Sequence, residues 1–390
     1  MIKWEILKAI KRKIIRNIAL IFIFSTFLAW LITSSLPQVF KEEIRLREEK
    51  IKEISLKLDK TEDENEKMFL KSQLNELESE LLALYEFTGK EKETNWKEET
   101  KAYLKKLEEE YKHLKRDYSA TLSREHYRVS IASYKYYLEH NIPPGERKNI
   151  PFILILGILI GNLGNIVFPL LFTYLNSESL PFEKENKGLI WILQTKNGRS
   201  LKYLISKYLA GIIIGPGICL LLEAISMLGL SFIYKTHWDI PLYILTQYAN
   251  INNEVIPIYG TTLAIPTKTF IIYAFLYHFL YLITIYTVFY LITIISQTPS
   301  KSYFFSLLIL ILSIVIETTD KAKKFSPWLP FSHYDVIETF KNTLVTQTKN
   351  TLFHFPFSIW IFFIWSIFSL ILALFIFLRK IQKNWSITKE

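Results

Sequence analysis

Glu223 and His278 are the residues whose types and placement most directly suggest chemistry, because each falls inside a long apolar run. An ionisable side chain in hydrocarbon is costly unless it faces protein or water. Two roles follow from that: a substrate or ion path, or a satisfied polar contact between two helices. His278 has no second and third ligand at useful spacing, so it is not read as a metal site. The Ser and Asp residues form no recognisable triad, and no G-x-x-x-x-G-K-[ST] loop is present to cradle nucleotide phosphates. The single cysteine, Cys219, also lies in an apolar run, so no intramolecular disulfide can staple the exposed parts. Covalent chemistry by this chain alone is not expected.

Residues placed this way must be held by membrane helices. Of the 390 residues 50% are hydrophobic, 15% aromatic and only 22% charged. That balance is too oily for a soluble protein of this size. The apolar residues gather in runs of roughly twenty, the length a helix needs to cross about 30 Å of hydrocarbon. These runs lie at about Asn17 to Leu36, Pro151 to Leu175, Tyr208 to Tyr234, Thr269 to Ile295, Tyr303 to Ile316 and Phe355 to Leu378. They predict an all-α integral membrane protein with about six transmembrane helices. Basic residues before the first run also fit a signal peptide, but the run ends in Ser34-Ser35-Leu36-Pro37 without an A-x-A pattern and is read as a retained anchor. Gly157 and Gly161 in the second run, and Gly211 and Gly215 in the third, have the spacing that lets helix backbones approach closely, within one subunit or at a dimer seam. Gly215-Pro216-Gly217 predicts a kink.

The formal net charge of +10 is carried beside the membrane runs, so anionic lipid accounts for it and nucleic acid is not invoked. On one side of the membrane fall Lys3, Lys8, Lys11, Arg12, Lys13 and Arg16, then Lys184, Lys187, Lys196, Arg199, Lys202 and Lys207, then Lys301, then Arg379, Lys380, Lys383 and Lys389. The opposite short loops hold only Lys235, Lys268, Lys321, Lys323, Lys324, Lys341 and Lys349. The positive-inside rule then makes both termini cytoplasmic. Residues 37–150 become an extracellular insertion between the first two spans, after an N-terminus and first span at 1–36. The other five spans occupy 151–390. Within the insertion Leu70, Leu74, Leu77, Leu81 and Leu84 form one heptad-like seam, and Leu104, Leu107, Tyr111, Leu114 and Tyr118 another. Thr88, Gly89 and a polar run to Asn95 separate them, which suits a coiled-coil-like antiparallel hairpin or a looser helical bundle.

The cytoplasmic segment between the second and third runs has an unusual texture. Glu183 and Glu185 precede Gly188, a short amphipathic stretch runs from Leu189 to Thr195 with Trp191 and Leu193 on it, and Arg199 follows a turn. Tyr203-Leu204-Ile205-Ser206-Lys207-Tyr208-Leu209-Ala210 then leads into the third run. This order resembles the loop joining the second and third spans in permease subunits of ABC exporters of the second type. That family often has Pro where this chain has Lys196-Asn197-Gly198. The resemblance extends to the six-span order and to a Pro-containing loop before the last span, here Ser326-Pro327-Trp328-Leu329-Pro330-Phe331, and excludes the large insertion.

The resemblance implies a permease subunit in which residues 182–207 couple the spans to a separate ABC ATPase, through Glu183, Glu185, Gly188, Trp191, Leu193 and Arg199. It implies that ATP and Mg are bound by that partner, with no cofactor in this chain. It also implies a second permease chain, identical or related; the bacterial plasma membrane is expected from the Lys- and Ile-rich, Cys-poor composition. An ordinary interfacial helix on anionic lipid is the plainer reading of the same segment. The competing function is a membrane-anchored scaffold or sensor that binds a partner through the extracellular helices. The charge distribution predicts that a cysteine placed near Lys90 reacts with an impermeant thiol reagent in intact cells and one near Ser200 does not; labelling in the reverse order inverts the topology.

Overall fold

The computed structural model describes residues 2–11, 14–61, 67, 70, 74, 77, 96–114, 121–143, 157, 161, 167–177, 199–233, 238–244, 247–251, 254–258, 261–296, 298–318 and 324–387. They form helices α1 (Ile2–Lys11), α2 (Ile14–Lys60), α3 (Trp96–Leu114), α4 (Thr121–Glu139), α5 (Phe168–Ser177), α6 (Arg199–Ile212), α7 (Ile218–Ile233), α8 (Thr267–Ile295), α9 (Pro299–Thr318), α10 (Val336–Lys341), α11 (Thr343–Thr348) and α12 (Phe355–Ile387). Four short strands, β1 (Pro241–Ile244), β2 (Tyr248–Ile251), β3 (Glu254–Pro257) and β4 (Leu263–Pro266), lie between α7 and α8. Among the described residues four helices are long and apolar enough to cross a membrane: Leu201–Phe232, Thr267–Ile295, Pro299–Ile316 and Phe355–Arg379.

A helix that is apolar all the way round has to be buried. α8 is the clearest case: 72% of its most apolar stretch is buried, against 33%, 22% and 28% in the other three. α12, α5 and α9 pack around it. Phe270, Tyr277, Tyr281, Phe289 and Tyr290 of α8 are among the largest fully buried side chains of the chain. Polar side chains tie the neighbours to it. The Thr284 and Ser366 hydroxyls are 2.9 Å apart, those of Tyr208 and Thr287 2.8 Å, and the Tyr290 hydroxyl donates to the Leu204 carbonyl at 2.9 Å. Leu221, Ile225 and Phe232 on α7, and Trp360, Ile364 and Phe368 on α12, point outward. These are the faces a bilayer would cover.

The antiparallel course of α7 and α8 gives the molecule two ends. At one end β1 pairs with β4 and, nested beyond them, β2 with β3. This small hairpin departs from the all-helical expectation. α4 rests on it. The Arg128 guanidinium, buried under α4, donates to the Ile258 carbonyl and to Thr261 Oγ1 (2.9 Å), where the two halves of the hairpin are offset. Tyr136 of α4 donates to the Asp239 carbonyl at 3.3 Å. The segment before α12 closes the same end, with Val345 and Phe353 packed on Val255 of β3. At the opposite end α1 packs against α6.

Leu107 and Tyr111 of the second seam are buried, and Ile131, Tyr134 and Tyr137 of α4 pack against them. The Thr88–Asn95 turn lies outside the described residues. The helix that carries the first apolar run does not stop at Leu36. α2 continues through Pro37 to Lys60, its far half held by ion pairs at helical spacing such as Lys57–Glu53 at 2.7 Å and Arg47–Glu43 at 3.6 Å.

The glycine pairs pack within the chain. A Cβ on Gly211 would lie 1.6 Å from the Tyr286 hydroxyl, and one on Gly215 would meet the Phe172 ring at 3.1 Å. A Cβ on Gly157 would lie 3.2 Å from Ile337, and one on Gly161 3.4 Å from Asp335. Between α6 and α7 the chain widens into a π-turn at Ile213–Gly217 around Pro216, the residue expected to kink the span. Gly211→Ala should therefore lose about 1–3 kcal/mol to overpacking. Gly229→Ala, whose Cβ meets nothing within 4 Å, should be neutral or gain up to about 1 kcal/mol from helix propensity. Equilibrium unfolding of both variants in detergent is the check.

Candidate functional site

Glu223 and His278 meet in the core. Glu223 lies on α7, less than two turns past the π-turn, and His278 lies near the middle of α8. His278 Nε2 stands 2.9 Å from Glu223 Oε1, with the two side chains 0% and 1% exposed. The contact is close without the alignment of a hydrogen bond, and neither side chain has a hydrogen-bond partner among the described residues. Phe168 of α5 and Tyr281 of α8 flank the imidazole, each with its ring centre 5.8 Å away. Cys219, one turn before Glu223, is fully buried as a free thiol. Nearby, Thr26 of α2 and Ser226 of α7 place their hydroxyls 3.4 Å apart. Among the described residues no group of three His, Cys, Asp or Glu could hold a metal ion.

The hairpin end is closed over the core by His333. Its Nε2 donates to the Pro327 carbonyl at 2.8 Å, its backbone carbonyl accepts from Tyr277 at 3.4 Å, and its ring lies against Phe353 and Phe362. Burial pulls its pKa down to about 4, with the Pro327 carbonyl opposing that shift.

The predicted coupling residues are only partly placed. Glu183, Glu185, Gly188, Trp191 and Leu193 lie outside the described residues. Arg199 is the first residue of α6, the helix that continues through the π-turn into α7 and so to Glu223. Downstream of Arg199, Lys207 is buried and pairs with Glu5 of α1 at 3.2 Å, its ammonium 5.4 Å from the Tyr203 ring centre. Tyr208 packs against Tyr286 and Tyr290.

Sequence reasoning passed over the Glu5–Lys207 pair and Arg128. Glu5 is the lone acid in a basic N-terminus, a signal that could have marked it for pairing. Arg128 sits in an aromatic face, Tyr127, Ile131 and Tyr134, where a cation is out of place unless it caps something. The hairpin had a signal too, the Asn252-Asn253 step between two β-rich stretches.

The class these features define is a mostly helical membrane protein. Comparison with known proteins finds no matching family model, no similar curated protein and no similar solved structure.

The His333 ring yields a pH prediction. Its folded pKa, about 4, lies below the unfolded value of about 6.5. The unfolded chain therefore binds the extra proton between these limits. Stability from this group is complete above about pH 6.5 and falls as pH drops towards 4, by on the order of 3 kcal/mol in all. His333→Gln should remove that part of the slope in unfolding titrations at a series of pH values.

Proposed function

We propose that the chain is the membrane permease subunit of an ATP-driven exporter of the ABC type. It moves or extracts an amphipathic substrate such as a peptide or lipid-like molecule. In this reading it has six spans, cytoplasmic termini and an extracellular insertion at 37–150. The observation that carries it is the segment Phe182 to Ala210, with its acidic residues, glycine, amphipathic stretch and Arg199 leading into the third span. A short helix lying in the interface can dock in a groove on an ATPase and pass its closure to the spans. The contacts support the arrangement: α1 and the base of α6 meet at one end, while the insertion, the hairpin and the loop before α12 meet at the other. ATP and Mg belong to the partner chain, and two permease chains face two ATPase subunits.

A second reading draws on α4, seated on the hairpin through Arg128 and Tyr136. A membrane-anchored scaffold or sensor would need such a rigid exterior platform and no ATPase.

Co-purification separates the two. An ABC ATPase should accompany the chain, and hydrolysis should require that ATPase. Trp191→Ala or Arg199→Glu should weaken the association by about 2 kcal/mol, roughly thirtyfold in affinity, while leaving membrane insertion intact. Normal ATPase binding and normal substrate stimulation in both variants would remove the support for coupling.

A further inference from the structure

We propose that the outward face of α1 docks in the headgroup layer of an anionic bilayer, with α1 held in that orientation by the Glu5–Lys207 ion pair. The inference stands on the placement of α1 and does not require the exporter reading. α1 carries one acid, Glu5, against Lys3, Lys8 and Lys11. That acid is turned inward. Glu5 pairs with the buried Lys207 of α6 at 3.2 Å, and the next residue, Ile6, packs on the core. The pair fixes the rotation of the helix. Lys3, Leu7 and Ile10, spaced at i, i+4 and i+7, then share the opposite face. All three are exposed, Leu7 at 37% and Ile10 at 54%.

The ion pair sits near one end of the apolar bundle. Leu204 and Tyr208 of α6, on either side of Lys207, are hydrogen-bonded to Tyr290 and Thr287 of α8, and α8 ends at Ile295. α1 is therefore held beside the last turns of α8. Exposed apolar side chains continue from it along both neighbours, at Leu201, Ile205 and Leu209 of α6 and at Leu20, Ile23 and Phe24 of α2. The outward face of α1 is continuous with surface that hydrocarbon covers, so the same bilayer reaches Leu7 and Ile10.

Charge selects the kind of bilayer. Among the described residues at this end the exposed charged side chains are all basic: Lys3, Arg16, Lys202, Lys301 and Arg379. The one acid there, Glu5, already faces Lys207. A helix face that mixes aliphatic side chains with cations gains twice at an anionic surface, by burying Leu and Ile at the acyl boundary and by placing ammonium groups among phosphates. Water satisfies only the cations, and a zwitterionic surface attracts them less. Lifting α1 away would also strip the buried Lys207 of its carboxylate, which keeps the helix on α6 and its outward face at the membrane.

The test places an environment-sensitive fluorophore on the full-length chain at Ile10→Cys, or at Leu7→Cys if the first variant does not fold. The unsubstituted chain, whose Cys219 is buried, sets the labelling background, and Lys101→Cys on the exposed face of α3 is the water reference. Each protein is reconstituted at one chain per nanodisc, in phosphatidylcholine alone and in an equal mixture with phosphatidylglycerol. In the mixture the label on α1 should emit at shorter wavelength than the label at 101, lose its quenching by aqueous iodide and be quenched by a spin label carried on the lipid. The protection should be weaker in phosphatidylcholine alone, and Lys3→Gln/Arg16→Gln should remove the difference between the two lipids. Iodide quenching equal to that at 101 overturns the proposal in favour of a free face. Protection from iodide and from the lipid quencher together overturns it in favour of a protein contact. Equal protection in both lipids overturns the anionic assignment.

Discussion

The burial of α8 is the constraint on which the other elements depend. A helix enclosed on all sides gives up water for every side chain it carries, and α8 carries Tyr277, His278, Tyr281, Thr284, Tyr286, Thr287 and Tyr290. Each of those polar groups had to be matched from a neighbour or tolerated unmatched. α12 brings Ser366 to Thr284, α6 brings Tyr208 to Thr287, and Gly211 leaves room for the Tyr286 hydroxyl. Interhelical hydrogen bonds in hydrocarbon are individually modest, about 1 kcal/mol, but they fix which helix faces meet. Dispersion from the close-packed aromatic rings supplies much of the remainder. The register of the bundle is thus written on α8, and α5, α6, α7, α9 and α12 conform to it.

Much of this was legible in the sequence because hydrocarbon length is a strict ruler. The third, fourth, fifth and sixth apolar runs correspond to helices with ends shifted by a few residues, and the fifth is longer than its most apolar stretch. The positions of Glu223 and His278 stood out because an ionisable residue in an apolar run is rare. Their contact could not be read, since it depends on the rotation of α7 after the π-turn, where one extra residue per turn resets the helical face. The heptad seam at Leu104, Leu107 and Tyr111 was plain, yet spacing alone does not name a partner. The strands were missed for a similar reason. Four-residue strands give too little periodicity to compete with long apolar runs.

Arg128 and the hairpin show how the α3–α4 pair is attached to the apolar helices. A guanidinium presents donors in a fixed fork, and backbone carbonyls at an offset between two strand pairs are acceptors with no ladder partner. Thr261 completes the joint: its hydroxyl donates to the Ile258 carbonyl at 2.7 Å and accepts from the Gln247 amide at 3.1 Å. α4 is therefore seated on polar contacts of defined direction, in addition to apolar packing that tolerates sliding.

The unbroken course of α2 has a mechanical meaning. A helix of 47 residues is about 70 Å long at 1.5 Å per residue. It is a single lever whose inner arm packs beside α7 near Ser226 and whose outer arm, from about Lys41 to Lys60, is a charged rod. A rocking of about 10° at the inner arm would carry the outer tip, about 30 Å farther along, through about 5 Å. Load on the far arm would return along the same shaft to the core, with its bending concentrated at Pro37, where one backbone hydrogen bond is missing.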